Sequence, residues 1–323
     1  MNNQPLVSII TPCYNGESFL HRYFGAILAQ TYSNIELIFV NDGSTDKTEE
    51  IALSYKDKLE AKGVKFIYMY QDNAGQAAAV NSALKVFSGE YLTWPDSDDW
   101  MPFDMIEKQI EYLKKNAHKG FVLNKCQYIS DEDHKTVLCI RERKNKENGY
   151  LFEDFIKGND IYWCAGAVMV KTDCFLKSNP KRDIFTGTGG QNWQMLLPIS
   201  YEYECGFLNE PMYNILRRNN SHSRSIINAE EAYEYSLKQE DTVVQTISRM
   251  NMPDKEKNEY IHLAKYEQAK KRFYLAIEFQ DRDNIGRFYR EIGNNGKISL
   301  KLRIQSFVFR NKLLSAIYNI FKS

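Results

Sequence analysis

Residues Ile35–Leu53 read "IELIFVNDGSTDKTEEIAL". A nearly unbroken apolar run, "IELIFV", stops at the polar turn "NDGST", and a charged helical pattern follows. Such a run reads as a strand covered on both faces, as strands are in a parallel sheet. The same order recurs on either side. "LVSII" (Leu6–Ile10) ends at "TPCYNG" and leads into "SFLHRYFGAIL", where Phe19, Leu20, Tyr23, Phe24, Ile27 and Leu28 fall at helical spacing. "VKFIYMY" leads through "QDNAG" into the helical "GQAAAVNSALKVF", and "YLTW" ends at "PDSDDW". Repeated strand, turn and helix predict an α/β fold with a mainly parallel, doubly wound sheet. Its ligand crevice is expected at the C-terminal strand ends, where the four polar turns converge.

The later sequence is less regular. "IYWCAGAVMV" (Ile161–Val170) reads as a buried strand, followed by the glycine-rich "FTGTGGQNW". "WQMLLPISYEY" reads as a short helix, and "NEPMYNILRRNNSHS" as a strand with its exit loop. Residues 230–292 are charged, glycine-poor and helical, which places a boundary near residue 228. The division is 1–228 for the α/β domain and 229–323 for a helical appendage. Lys plus Arg equals Asp plus Glu at 42 each, so no overall field favours nucleic acid. Six cysteines form no CxxC pair, no export signal opens the chain and no 18-residue apolar run occurs. A cytoplasmic protein is expected.

The stretch "YLTWPDSDDW" (Tyr91–Trp100) sets Asp96, Asp98 and Asp99 within four positions. Carboxylates so close raise one another's pKa unless a cation lies between them. Each turn alone has an ordinary reading: "NDGST" as a helix cap, Tyr14 as core, the acidic turn as solvated. Their order is what signals a site. "VSIITPCYNGESFL", "ELIFVNDGSTDKT", "DNAGQAAAVNSAL" and "GEYLTWPDSDDWMP" together resemble the family 2 inverting glycosyltransferases, of bacterial surface-polysaccharide type, over residues 5–225.

That resemblance implies the GT-A fold, a Rossmann-like sheet flanked by helices, and a set of roles. Tyr14 would stack on uracil, with Pro12 and Asn15 shaping the turn, and Asp42 would accept from the imide N–H. Asp98, with Asp96 beside it or on the ribose, would hold Mg²⁺ or Mn²⁺ against the donor diphosphate. His222 would complete that metal site. Val80 departs from the pattern, standing where the family often has an arginine, so diphosphate contacts fall to Arg217, Arg218 and His222. Gln191 and Asn192 depart again, occupying the place of an E-D pair that carries the general base. Gln191, Asn192 and Trp193 are then expected at the acceptor, with Asp99 or Asp160 as alternative bases. The expected partners are a UDP-sugar donor and a glycan acceptor, lipid-linked or free. Two rival readings stand beside this one: a degenerate nucleotide-sugar-binding subunit and a sugar nucleotidyltransferase.

The C-terminal forty residues, from Asn284, carry eight basic residues against Glu291 alone. They flank Phe307, Leu314, Ile317, Tyr318 and Phe321. The pattern suits peripheral contact with the inner face of the plasma membrane, or equally a helix packed on its own domain or on a second copy in a homo-oligomer. "KISLKLRI" alternates with period two, so a short strand is a further reading there.

Overall fold

The computed structural model describes residues 4–162, 164–187, 190–217, 228–312 and 314. The chain divides into two compact units, Met1–Asn219 and Asn220–Ser323. The first unit opens with β1 (Val7–Cys13), α1 (Leu20–Leu28), β2 (Ile35–Asp42), α2 (Thr48–Ser54), α3 (Lys56–Ala61), β3 (Lys65–Gln71), α4 (Gln76–Leu84) and β4 (Tyr91–Thr93). It continues with α5 (Met105–Lys115), β5 (Lys119–Ser130), β6 (Val137–Arg141), α6 (Phe152–Lys157), β7 (Val168–Lys171), α7 (Thr172–Ser178), α8 (Gln191–Glu202) and β8 (Glu204–Arg217).

Strands β3, β2, β1 and β4 lie side by side and run parallel. Every residue of β1 and β2 is buried, which accounts for their unbroken apolar reading. The other half of the sheet is mixed: β7 lies antiparallel between β4 and β5, and β8 runs parallel to β5 along its length. β6 continues antiparallel beyond β7 on the remaining edge of β5. The sheet is therefore wholly parallel only in its first half, and mixed beyond it. The buried strand expected over Ile161–Val170 shortens to β7, preceded by a helical turn at Ala165–Ala167. Three small residues in succession leave no branched side chains to pack as a strand there.

Helix α1 shows how the layers hold. Leu20, Tyr23, Phe24 and Ile27 form one face at 3–4 spacing and pack against Leu37 and Phe39 of β2. The Phe24 and Phe39 rings stand 5.4 Å apart. Losing one such buried aromatic costs about 3–5 kcal/mol.

A buried carboxylate pins the N-terminal end of the sheet, opposite the turns. Glu36 is fully buried and accepts from Ser8 Oγ, the Ser88 and Gly89 amides, Ser88 Oγ and Lys65 Nζ. Burial pushes its pKa up, but these donors outweigh burial and leave it lowered.

The second unit comprises α9 (Ala229–Arg249), α10 (Asp254–Glu278), α11 (Arg282–Asn295) and α12 (Leu300–Arg310). Phe273, Ile285, Phe288, Ile292, Leu302 and Phe309 form its core. Arg272, buried on α10, is held between Glu240 at 2.8 Å and Glu291 at 3.1 Å. "KISLKLRI" resolves as the start of a helix: Ser299 caps α12 by accepting from the Leu302 amide. No helix among the described residues is long and apolar enough to cross a membrane.

Candidate active site

Parallel pairing sets the C-terminal ends of β1, β2, β3 and β4 along one edge, and the four polar turns leave from there. Side chains then lace the turns together. The Asn15 amide donates to Ser44 Oγ at 2.9 Å, while Asn15 Oδ1 accepts from the Thr45 amide at 2.9 Å. Asn15 holds φ at 51°, a left-handed conformation that asparagine tolerates better than most residues. Gly16 and Glu17 donate to Thr48 and Asp46, which fastens the first turn to the second. Pro12 is buried within β1, and Tyr14 stands 53% exposed at the rim.

Asp42 ties the second turn to the third. Its Oδ1 accepts from Gln71 Nε2 at 2.7 Å and the Ala74 amide at 3.0 Å, and its Oδ2 from the Gly75 amide at 2.9 Å. A carboxylate offers about four acceptor positions, so three protein donors leave one. Gly43 sits between the same turns at φ +71°, where an added Cβ would lie 2.5 Å from the Asn73 nitrogen. Only glycine fits both the space and the angle.

The acidic turn lies at the centre. Gln76 Nε2 donates to Asp96 Oδ1 at 2.8 Å, linking it to the third turn. Arg22 reaches from α1 to donate to the Asp98 carbonyl at 2.8 Å, its guanidinium 4.5 Å from the Trp100 ring centre. Asp99 is 5% exposed and accepts from the Leu216 amide on β8. The Asp96 amide donates to the Tyr213 hydroxyl, also on β8. Gly166 leaves the room for that tyrosine, since a Cβ there would overlap its ring. Trp94 Nε1 donates to Asn192 Oδ1 at 2.8 Å, which brings the start of α8 to the same place.

Burial, and then the Asp98 charge, push the Asp96 pKa up to about 7. The same two causes, with Asp96 added, raise Asp99 well above the carboxylate range. These are carboxyls that a protein keeps ionised with a cation nearby. Oxygen donors of this kind suit Mg²⁺ or Mn²⁺, which take much of their shell from phosphate and water. Among the described residues no three His, Cys, Asp or Glu side chains form a group that could hold a metal ion by themselves. The fit is adequate.

Residues 8–172 match the profile of Glycosyl transferase family 2, just over half of the chain. The chain belongs to that family. An uncharacterised glycosyltransferase of Rickettsia prowazekii is 41% identical over 146 residues, covering 44% of this chain and 43% of its own. The Streptococcus pneumoniae glycosyltransferase GlyA is 41% identical over 110 residues, 33% of this chain and 15% of that one. The chain thus spans less than half the length of the relatives it matches by sequence. Among solved structures, S. aureus TarS in complex with UDP-GlcNAc aligns with TM-score 0.63 at 17% identity, over 90% of this chain and 82% of that one. The Pyrobaculum calidifontis mannosyltransferase PcManGT, in complex with GDP-Man and Mn²⁺, aligns with TM-score 0.57 at 14% identity, over 100% and 89%. The fold is the GT-A fold of family 2 glycosyltransferases, with helices appended at the C-terminus.

The family's site pattern meets the structure unevenly. Val80 is buried core, and its neighbour Asn81 bonds the Ile184 backbone through both amide atoms. Gln191 and Trp193 are half-buried in the first turn of α8. Asp160 is committed elsewhere: its carboxylate accepts from the Lys144 and Asn145 amides, which, against the burial that raises it, lower its pKa. Arg217 is exposed at the end of β8. Arg218 and His222 lie outside the described residues. Gln71, Gln76, Arg22 and Tyr213 also belong to the site, beyond the residues the sequence singles out. Gln76 follows "DNAG" directly and was within reach of a local reading; Arg22 and Tyr213 act from distant elements and leave no local signal.

Proposed function

We propose that this family 2 glycosyltransferase moves a hexose or N-acetylhexosamine from a UDP-sugar to a glycan acceptor, with inversion and with Mg²⁺ or Mn²⁺. The observation that carries this reading is the lacing of four turns into one floor, with Asp96, Asp98 and Asp99 at its centre. The UDP-GlcNAc complex of TarS supports a uridine donor, and the Mn²⁺ complex of PcManGT supports a divalent ion.

In this reading Tyr14 covers one face of the uracil, while Asn15 and Pro12 hold its turn. The acceptor position left on Asp42 takes the imide N–H, and Arg217 and Arg218 approach the diphosphate. Asp98 and Asp96 would hold the ion, with His222 as a third ligand, and the ion would supply charge neutralisation for the departing diphosphate. Gln191, Asn192 and Trp193 line the acceptor side, where a tryptophan face suits a sugar ring.

Of the two candidate bases, Asp99 is the better supported. Asp99 lies in the acidic turn beside Asp96 and Asp98, whereas the carboxylate of Asp160 is taken up by the Lys144 and Asn145 amides. Asp99 takes the acceptor hydroxyl proton as that oxygen bonds to C1; the C1–O bond to phosphate breaks, and UDP leaves with the electron pair. A single in-line displacement inverts the anomeric centre.

The test is UDP release from a panel of UDP-sugars with mixed glycan acceptors, with Mn²⁺ and with EDTA. Metal-dependent release with an inverted product is the expected result. A second reading rests on the neutral pair Gln191–Asn192: a nucleotide-sugar-binding subunit that transfers nothing. Tight UDP-sugar binding without release from any donor in the panel would favour it.

A further inference from the structure

We propose that α12 docks the protein on an anionic lipid surface. The helix carries two apolar stripes on opposite faces. Leu302, Ser306 and Phe309 are buried, and Leu302 and Phe309 belong to the core of the second unit. Leu300, Ile304 and Phe307 repeat the same i, i+4, i+7 spacing two residues earlier, which is about 200° around a helix of 3.6 residues per turn. They are 72%, 54% and 70% exposed. One bundle buries one stripe of a helix; the second stripe is surplus to it.

Charge identifies the occupant. Lys297, Lys301, Arg303, Arg310 and Lys312 are exposed on or beside α12. From Ile292 to Ser323 the sequence holds six basic residues and no acidic one. The preceding acid, Glu291, is paired with Arg272 and Arg287, so it does not offset the face. A long aromatic and two aliphatic side chains flanked by cations match the acyl boundary and headgroups of an anionic bilayer. A second copy of the chain fits less well. Its own basic face would oppose this one, and three side chains fall short of the roughly 800 Å² per partner that stable interfaces bury. The inference is independent of the donor and the reaction, and its test needs no activity.

The full chain and a Leu300→Gln/Ile304→Gln/Phe307→Gln variant are compared by flotation with phosphatidylcholine vesicles, with and without phosphatidylglycerol. These side chains are exposed, and matching melting curves check that the variant folds. The wild type should bind only the anionic vesicles, and the variant about tenfold more weakly or less. Binding should also fade as salt rises well above 0.15 M, where the Debye length falls below about 8 Å. A separate Lys301→Gln/Arg303→Gln variant should lose the preference for phosphatidylglycerol. Absence of wild-type binding, equal binding to neutral vesicles, or an unaffected apolar variant would each overturn the proposal. So would light scattering that shows a dimer which the apolar variant makes monomeric.

Discussion

At Asp96, Asp98 and Asp99 three carboxyls share one turn, and their cost depends on what else carries positive charge there. Asp96 binds its proton more tightly in the folded chain than in the unfolded one. A raised carboxyl contributes stability below the ordinary carboxylate pKa of about 4 and loses it as pH rises through about 7. Metal-free protein should therefore lose stability over that interval, and Asp96→Asn should flatten the loss. Melting curves against pH in EDTA check this, and added Mn²⁺ should stabilise the wild type more at pH above 7 than below 5. Glu36 behaves oppositely: its pKa is lowered, so its contribution is present above about 4.5 and fades as pH falls below that. Asp98→Asn should keep the fold and reduce transfer by about 10²-fold or more, as loss of one preorganised electrostatic group does. Steady-state rates with circular dichroism on the same sample measure both.

Local sequence carries part of this site and not the rest. The acidic turn was legible because three like charges after an apolar run are locally improbable. Asp42 stands out in the sequence, but its bonds to Gln71, Ala74 and Gly75 do not, since they depend on the register of β2 against β3.

Between elements, the site is a set of fastenings that belong to no single turn. Arg22 on α1 holds the backbone of the acidic turn, and Tyr213 on β8 holds it from the other side. Gly166→Ala should displace the Tyr213 ring and cost about 1–3 kcal/mol, the usual penalty of overpacking. Its divalent-ion requirement should rise as well, because Asp96 loses its support. Chemical denaturation and a Mn²⁺ titration of activity separate the two effects. Arg22→Lys keeps the charge but not the fork that spans the Asp98 carbonyl and Trp100. It should raise the Mn²⁺ concentration for half-maximal rate by about tenfold, which is about 1.4 kcal/mol, with an unchanged melting point. Strand, turn and helix in the first half could be read from hydrophobic periodicity alone. The strand at β7 could be read locally, but its antiparallel place between β4 and β5 could not, since pairing is set by long-range contacts rather than by local pattern.

Across the whole chain, the GT-A unit spans Met1–Asn219 and the helical unit follows. The boundary expected near residue 228 rests on composition, because a glycine-poor charged helical region differs locally from a parallel sheet. The period-two alternation before α12 did not identify its conformation; a single serine cap, together with burial of Leu302 and Phe309, settled it as helix. The proposed function requires the four-turn floor to bind a uridine diphosphate with a divalent ion. Calorimetric titration of UDP into the wild type, Asp42→Ala and Asp98→Asn, each with Mn²⁺ and with EDTA, tests it most directly. The wild type should bind UDP with Mn²⁺ and at least about tenfold more weakly in EDTA. Asp42→Ala should lose about 1.5–3 kcal/mol in either condition, the worth of a hydrogen bond to a charged group. Asp98→Asn should bind equally with and without the ion. Wild-type binding of UDP that is indifferent to EDTA, or that survives unchanged in a folded Asp42→Ala protein, would contradict it.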